Sequence, residues 1–300
     1  MKNPITLLLI LFVSFTIVKA QTNTMDTQKN TVIGDASFET IYVYTVNTAR
    51  INQNMTSYQN KYKQEIYTTI LQGNNTVSKF WDYNLFKKDS ILYSGTKNTA
   101  TPDEIKKLNY LYNYKIEYLF LPVIIKNYPE NAITATDEIT PNDYLYREKK
   151  SKLDWKLKED TSTVCGYRCY KAITKYGGRE WIAWYSPEIA VSDGPWKLFG
   201  LPGLILKAQD ATATHTFEAI SIRQSERTIY LANNALRINT DRKTFIETKN
   251  KYENNPTPAN NIPMDQISSF EVMRRGELTL INGKRAIMKR STVYSPLELE

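Results

Sequence analysis

The sequence contains few of the side chains and motifs on which common enzymes depend. It has one histidine, His215, and no H-E-x-x-H motif or cysteine–histidine cluster, which argues against a zinc hydrolase. The motifs G-x-S-x-G, G-x-G-x-x-G and G-x-x-x-x-G-K-[ST] do not occur. The segment Ser94 to Lys97 matches S-x-x-K but lacks the S-D-N and K-T-G companions of β-lactamases. We therefore expect no catalytic residue, no metal and no cofactor, and we interpret His215 as a hydrogen-bonded or exposed strand residue.

Long apolar runs are also scarce, since the sequence has only one, from Ile5 to Val18. Met1-Lys2 precedes this run, and Val18-Lys19-Ala20 places small residues at positions −3 and −1 of a cleavage site, as in a secretory signal peptide. The alternative, an N-terminal membrane anchor, needs about 20 apolar residues. The sequence therefore predicts cleavage after Ala20 and export of residues 21–300, as one domain, to the periplasm or cell envelope, or into the medium.

Cysteine is rare, with only Cys165 and Cys169 in the chain. An even number of cysteines in an exported protein favours a disulfide. If residues 166–168 form a three-residue hairpin loop, the two cysteines face each other across the strands within disulfide range. Two free thiols, or a metal or redox pair, are the alternatives, although the spacing differs from the C-x-x-C of thioredoxin-like enzymes. We expect a structural disulfide.

Charge of one sign is not concentrated anywhere, although the net charge is +8. Removal of Lys2 and Lys19 with the signal peptide leaves +6. Basic residues are spread between Lys61 and Arg290 and mixed with acidic ones, which is typical of a soluble basic surface. We expect no nucleic acid as a partner, and a peripheral contact with an anionic membrane stays open.

Strand patterns fill most of the mature sequence. Aromatic residues make up 12% of the chain, including 21 tyrosines, and such rings pack well on a pleated surface. Gly177-Gly178 and Asn282-Gly283 are two-residue hairpin signals, and short turns between consecutive strands imply antiparallel pairing. The predicted strands are 38–46, 65–71, 77–83, 117–126, 144–148, 153–158, 168–176, 180–185, 204–209, 214–222, 278–281 and 284–288.

Helix signals are fewer. Thr101-Pro102-Asp103-Glu104 is a capping box with proline at the first helical position, and a second helix is predicted from Thr240-Asp241 to about Tyr252. The sequence therefore predicts a mainly β fold: a single curved antiparallel sheet, half-barrel-like, with a few short helices against one face. This arrangement resembles lipoprotein-carrier half barrels in fold alone.

The most informative segment is Gly200-Leu201-Pro202-Gly203-Leu204-Ile205. Leu-Pro-Gly predicts a type II turn, because proline presets φ near −65° at the second position and glycine supplies a positive φ at the third. We therefore assign Gly200, Pro202 and Gly203 to a structural turn that leads into a strand.

Three ordered segments carry a family resemblance: Gly166–Ala172, the continuous run 180–205 and Ser295–Glu300. The hexamer 200–205 resembles the motif that names the GLPGLI family, a group of exported bacterial proteins of unknown function. The preceding run 180–200 and the segment Gly166–Ala172 are similar to further family motifs, and Ser295–Glu300 resembles the family terminus, with Ser295 where asparagine is usual. The resemblance implies export and brings no catalytic residues, because the family has none assigned.

The aromatic residues around the motif suggest a surface. Trp184, Tyr185, Trp196 and Phe199 are candidates for contact with a ligand or partner, since loops carry function more often than strands do. The alternative is a structural plug that closes the open end of the sheet. A large exposed apolar set without a partner would be a liability.

We therefore expect an exported, non-catalytic envelope protein that binds an unknown envelope protein or a small apolar ligand. One alternative is a lipid or lipoprotein carrier with a concave apolar sheet. Another is an unrecognised hydrolase, for which Glu180, Glu188 and His215 would have to converge on one spot. A filled concavity would instead favour an interaction protein.

Overall fold

The fold is built on one large, mainly antiparallel sheet. The computed structural model describes residues 30–47, 64–93, 101–103, 106, 119–139, 142–254, 270–272, 279–281, 284–286 and 296–300. Within them, twelve strands form the main sheet in the order β14-β7-β6-β5-β4-β3-β2-β12-β11-β10-β9-β8. The order shows two runs of consecutive strands that meet where β2 pairs with β12.

The first run is a meander of six antiparallel strands. Every strand pairs with the next one along the chain because short connections join most of them. The strands are β2 (Phe38–Val46), β3 (Glu65–Gly73), β4 (Ser78–Asp82), β5 (Val123–Lys126), β6 (Ala132–Ile139) and β7 (Asn142–Lys149). A short strand, β14 (Ile238–Thr240), adds to β7 in parallel.

The second run contains five antiparallel strands. They are β8 (Lys156–Val164), β9 (Tyr167–Tyr176), β10 (Arg179–Ser186), β11 (Leu204–Asp210) and β12 (His215–Gln224). The turn between β9 and β10 is Gly177-Gly178, with φ of 59° and 73°, so this predicted two-residue hairpin is confirmed by the pairing of Tyr176 with Arg179.

Elements from elsewhere cover both faces of the sheet. One face carries the largest apolar cluster, into which Phe245 and Tyr252 of helix α2 (Arg242–Asn254) pack. On the other face, a two-stranded sheet of β1 (Thr31–Asp35) and β13 (Thr228–Leu231) packs over a second cluster. Helix α1 (Tyr83–Tyr93) packs beside it through Phe86, against Ile70 and Trp81.

The prediction of a mainly β fold is confirmed, but the sheet is not single. Besides the main sheet and the β1–β13 pair, β15 (Phe270–Val272), β16 (Thr279–Ile281) and β17 (Lys284–Ala286) form a third sheet. The main sheet is open, since its terminal strands β14 and β8 do not pair with each other. The turn Asn282-Gly283 lies outside the described residues, and so does most of the helix predicted from Thr101.

Helix α2 follows its sequence signals and α1 has weaker ones. Asp241 caps α2, because its Oδ1 accepts the backbone N–H of Thr244 at 2.9 Å. Asp82 caps α1 in the same way and receives the N–H groups of Asn84 and Leu85 at 2.7 and 3.0 Å. The strand predicted over 77–83 therefore ends at Asp82, where the cap turns the chain into a helix.

The prediction that the two cysteines face each other across the β8–β9 hairpin is wrong. The hairpin loop has two residues, Cys165 and Gly166, with φ of 51° and 83°, and Ser162 therefore lies opposite Cys169. Both cysteines are free; Cys165 is exposed and Cys169 is buried. The expected three-residue loop would have placed the cysteines opposite each other, and the shorter loop shifts Cys165 into the turn.

The C-terminal residues dock beside the Gly177-Gly178 turn. The backbone N–H of Leu299 donates to Gly177 O at 2.9 Å. The guanidinium of Arg179 donates to the carbonyl oxygens of Pro296 and Leu297, at 2.6 and 3.2 Å. This segment is therefore held by its backbone as well as by its side chains.

A buried charge cluster completes the docking. The fully buried Lys197 places Nζ 2.5 Å from both Glu148 Oε1 and Glu298 Oε1, and it donates to the hydroxyl of Tyr146 at 3.0 Å. Arg242 also pairs with Glu148 and Glu298. The cluster joins β7, the segment before β11, α2 and the C-terminal residues.

Candidate functional site

The segment between β10 and β11, residues 187–203, crosses the face of the main sheet that carries the largest apolar cluster. Trp196 is buried, and its ring centroid lies 5.5 Å from those of both Tyr176 and Trp181. Leu198 and Leu201 are also buried within the cluster. The segment therefore fills this face of the sheet with its own side chains.

The four aromatic candidates do not form one exposed surface. Trp184 and Tyr185 are neighbours in β10, at the point where the pairing of β10 with β11 shifts in register. Trp184 is half-buried, whereas Tyr185, Trp196 and Phe199 are buried. Only Phe199 among the four lines the pocket described below.

The two glycines of the predicted turn have positive φ, as expected, but the turn is of a different type. Gly200 and Gly203 have φ of 93° and 148°. Gly203 N–H donates to Leu201 O at 2.8 Å, around Pro202, while Leu204 N–H donates to Ile189 O at 3.2 Å. This is a three-residue turn in place of the predicted type II turn.

Gly203 is also required by a close approach of two backbone segments. A Cβ at this position would lie 2.2 Å from the carbonyl oxygen of Ser186. Because Ser186 ends β10 and Gly203 precedes β11, the glycine brings the two strands together at the base of the crossing segment.

A pocket of about 450 Å³ opens at one edge of this segment. The β3–β4 turn forms one wall, and the chain on either side of Asp193 forms another. Most of the lining is polar. It consists of Asn74, Asn75, Thr76, Val77, Ser78, Lys126, Lys150, Ala190, Val191, Ser192, Asp193, Phe199 and Gly200.

Lys126 is the buried cation of the pocket. It is the last residue of β5, and its side chain is 2% exposed. Its Nζ pairs with the carboxylate of Asp193 and donates to Gly194 O at 2.6 Å. Burial lowers the pKa of Lys126; Asp193 opposes this shift, and the charge of Lys150 adds to it.

Ser78 and Lys150 supply the other polar groups of the wall. Ser78 lies opposite Lys126 in the β4–β5 pair and is 1% exposed. Its Oγ has no hydrogen-bond partner among the residues that the structure describes. The Nζ of Lys150 lies 4.9 Å from the centroid of the Phe199 ring.

Sequence reasoning missed this pocket because its residues come from four separate parts of the chain. A signal was present in Lys126, which ends an otherwise apolar strand stretch and therefore needs a buried partner. The partner, Asp193, belongs to the Ser192–Pro195 part of the motif run that was interpreted as an aromatic and glycine-rich surface.

The residues of the hydrolase alternative lie apart. Glu180 is near the start of β10 and Glu188 follows its end, so roughly 20 Å of strand separates them. Both carboxylates are exposed, whereas His215 is buried. The three residues do not converge on one spot.

His215 is held inside the sheet. Its Nδ1 shares a hydrogen bond of 2.8 Å with the hydroxyl of Tyr44, and its backbone N–H donates to Asp210 Oδ1 at 2.8 Å. Burial, together with the charge of Arg179, lowers the pKa of His215 to about 4, and Asp210 opposes the shift. The interpretation of His215 as a hydrogen-bonded strand residue is confirmed.

The described part of the chain contains neither a metal-ligand cluster nor a membrane-spanning helix. No group of three or more histidine, cysteine, aspartate or glutamate residues there could hold a metal ion. Within the same residues, no helix has the length and apolar character needed to cross a membrane.

Comparison with known proteins gives one short family match and a distant likeness to two solved structures. A family model described as "Protein of unknown function (Porph_ging)" matches residues 177–207, and no curated protein matches. Two solved structures of PNGF-II, in different space groups, are 17% and 16% identical to the chain, with TM-scores of 0.45 and 0.46. The match covers 81% of this chain and 40% and 39% of theirs, so the chain spans about two fifths of the PNGF-II length. The segment from Gly177 to Lys207 is thus similar to a family of unknown function, and the narrower GLPGLI resemblance stays a prediction.

Proposed function

We propose that this chain is an exported envelope protein that binds a polar small molecule in the pocket beside Asp193. The observation that carries the proposal is that two buried polar residues line one cavity. They are Lys126, a cation, and Ser78, whose hydroxyl is unsatisfied. Buried polar groups in native proteins are almost always hydrogen-bonded. A ligand or water with a polar group in this pocket would satisfy Ser78.

The filled apolar face and the polar pocket lining together indicate what kind of ligand the protein binds. Trp196, Leu198 and Leu201 fill the apolar face of the sheet. Because a carrier needs an open apolar face, this filled face favours an interaction protein over a lipid carrier. The pocket itself is polar and does not suit the small apolar ligand that we expected. A polar ligand is therefore the better match.

Co-purification tests the proposal. The protein would be isolated from its native envelope fraction, and released small molecules identified by mass spectrometry. We expect a compound that wild type retains and that Ser192→Trp loses, because the new side chain fills the pocket. Ser162→Trp, on the exposed strand β8, is the matched control and should retain the compound. The same compounds in all three preparations, or none in wild type, would contradict the proposal.

Export is tested separately. Fractionation of the native cells should place the protein in the envelope, and N-terminal sequencing should begin at Gln21. A product in the envelope that begins at Met1 would contradict cleavage after Ala20.

A further inference from the structure

We propose that the ligand of this pocket is a sugar acid, a polyhydroxylated molecule with one carboxylate, and that Lys150 and Ser78 contact it. This inference rests on the proposed function, since it names the class of ligand for the same pocket. Three features of the pocket support it: the charge balance of the lining, the unsatisfied hydroxyl, and the volume.

The net charge of the pocket lining favours an anionic ligand. The lining contains two lysines and one carboxylate. Asp193 is already paired with Lys126, inside the wall. Lys150 has no carboxylate within ion-pair distance among the residues that the structure describes, and its Nζ lies over the ring of Phe199. The pocket therefore has one net positive charge, and Lys150 carries the ammonium group that is left to pair with a ligand.

The hydroxyl of Ser78 fixes where a second polar group of the ligand would lie. Ser78 is directly opposite Lys126 in the sheet and deeply buried. A hydroxyl can donate one hydrogen bond and accept others. A ligand oxygen that reaches the inner wall would thus meet the Ser78 hydroxyl, and it would also lie near the Lys126 ammonium, which has three N–H donors and two recorded acceptors.

The volume excludes a bare inorganic anion as the best-fitting ligand. The pocket measures about 450 Å³, which lies in the size range of sites for small organic molecules. Polar side chains continue to the rim, where Asn75 and Ser192 are exposed. A molecule that carries hydroxyl groups around a compact body can hydrogen-bond to this polar rim, whereas the chain of an aliphatic acid cannot.

The test uses three probes on the purified mature chain: D-glucuronate, D-glucose and inorganic phosphate, each titrated by isothermal calorimetry. Glucuronate and glucose differ at C6, where one has a carboxylate and the other a hydroxymethyl group. We expect glucuronate to bind about tenfold or more tightly than glucose, because its carboxylate accepts a charge-assisted hydrogen bond that the hydroxymethyl group of glucose cannot provide. We expect phosphate to bind more weakly than glucuronate, because it leaves most of the pocket unfilled.

Substitutions test whether Lys150 and Ser78 contact the ligand. Lys150→Gln should weaken glucuronate binding by about tenfold and leave glucose unchanged. Lys149→Gln is the matched control, because Lys149 is the neighbouring, exposed lysine outside the pocket lining. Ser78→Ala should also weaken glucuronate binding, while the stability of the free protein stays the same or rises because an unsatisfied buried hydroxyl is removed.

Each outcome separates this inference from the proposed function. Equal affinity for glucose and glucuronate, or no effect of Lys150→Gln, would show a binding pocket that does not select for charge and would overturn the assigned class. Phosphate binding as tight as glucuronate binding would show a simple oxyanion site and overturn the sugar part. If none of the three probes binds, the inference fails, and the co-purification experiment alone then decides the proposed function.

Discussion

Lys197, in the segment that crosses the sheet, forms an ion pair of 2.5 Å with Glu298 of the C-terminal residues, and the Lys197 side chain is fully buried. Burial acts to lower the pKa of this lysine, but the neighbouring Tyr146 and Glu298 outweigh it and raise the pKa well above its ordinary value. Two of the segments that carry the family resemblance are therefore joined through a largely buried charge pair.

Disrupting the buried charge cluster around Lys197 should lower the stability of the protein. Lys197→Met removes the shared partner of Glu148 and Glu298 and leaves their charges less compensated, which should lower the free energy of unfolding by about 3–5 kcal/mol. Glu298→Gln should cost less, because Glu148 still pairs with Lys197. Urea denaturation measures both. Lys207→Met, which breaks the partly exposed pair with Glu218, is the control and should cost about 0–1 kcal/mol. Equal effects of Lys197→Met and Lys207→Met would contradict the role of the cluster.

Gly203 should tolerate no side chain. Gly203→Ala places a Cβ against the Ser186 carbonyl, and the strain of a positive φ alone costs about 1–3 kcal/mol. Gly166→Ala is a matched control, since Gly166 has φ of 83° and nothing within 4 Å of an added Cβ. Thermal unfolding should therefore show a larger loss of stability for Gly203→Ala than for Gly166→Ala. A smaller loss at Gly203 would mean that β10 and β11 separate at little cost.

The single histidine should make the protein sensitive to acid. The pKa of His215 is about 4 in the folded protein and about 6.5 in an unfolded chain. The unfolded state thus binds the proton more readily, so stability is lost as the pH falls from about 6.5 towards 4, by up to about 3 kcal/mol. His215→Gln should remove this component. Urea denaturation of both proteins across this range measures it, and a parallel pH dependence in the two would contradict the assignment. Because there is one imidazole, its NMR titration also gives the pKa directly.

The two cysteines should differ in reactivity and should not be linked. Burial raises the pKa of the Cys169 thiol to about 11, whereas Cys165 is exposed in the hairpin turn. Because the thiolate is the reactive form, iodoacetamide should modify Cys165 in the native protein and Cys169 only after unfolding. Peptide mapping under non-reducing conditions identifies the modified residue. A Cys165–Cys169 crosslink in that map would restore the expectation drawn from the sequence.

The strands could be predicted where local patterns decide the structure. Phe38–Val46 carries alternating Ile, Tyr and Val residues and was predicted with its observed bounds, and the two glycines at 177–178 specify their hairpin. Helix α1 was missed because its start depends on Asp82, which also receives the N–H of Phe120 at 3.0 Å. That second contact comes from a distant part of the chain, and no local pattern reports it.

The pocket and the cysteine register depend on geometry that sequence patterns do not carry. A single residue of loop length decides whether Cys165 faces Cys169 or lies in the turn. Ser78 and Lys126 are paired through the sheet register, and Asp193 reaches them from a connection that crosses the sheet. Sequence spacing alone gives none of these contacts.

The pairing of β2 with β12 has a consequence for how the chain is made. Val46 of β2 lies opposite His215 of β12, so the strand that joins the two meanders gains its second neighbour only after more than two thirds of the chain has been synthesised. Contacts so distant in sequence slow folding, and an unpaired strand edge is a template for association with other chains. Until β12 has been synthesised, the edge of β2 is open to pairing with another copy of the chain.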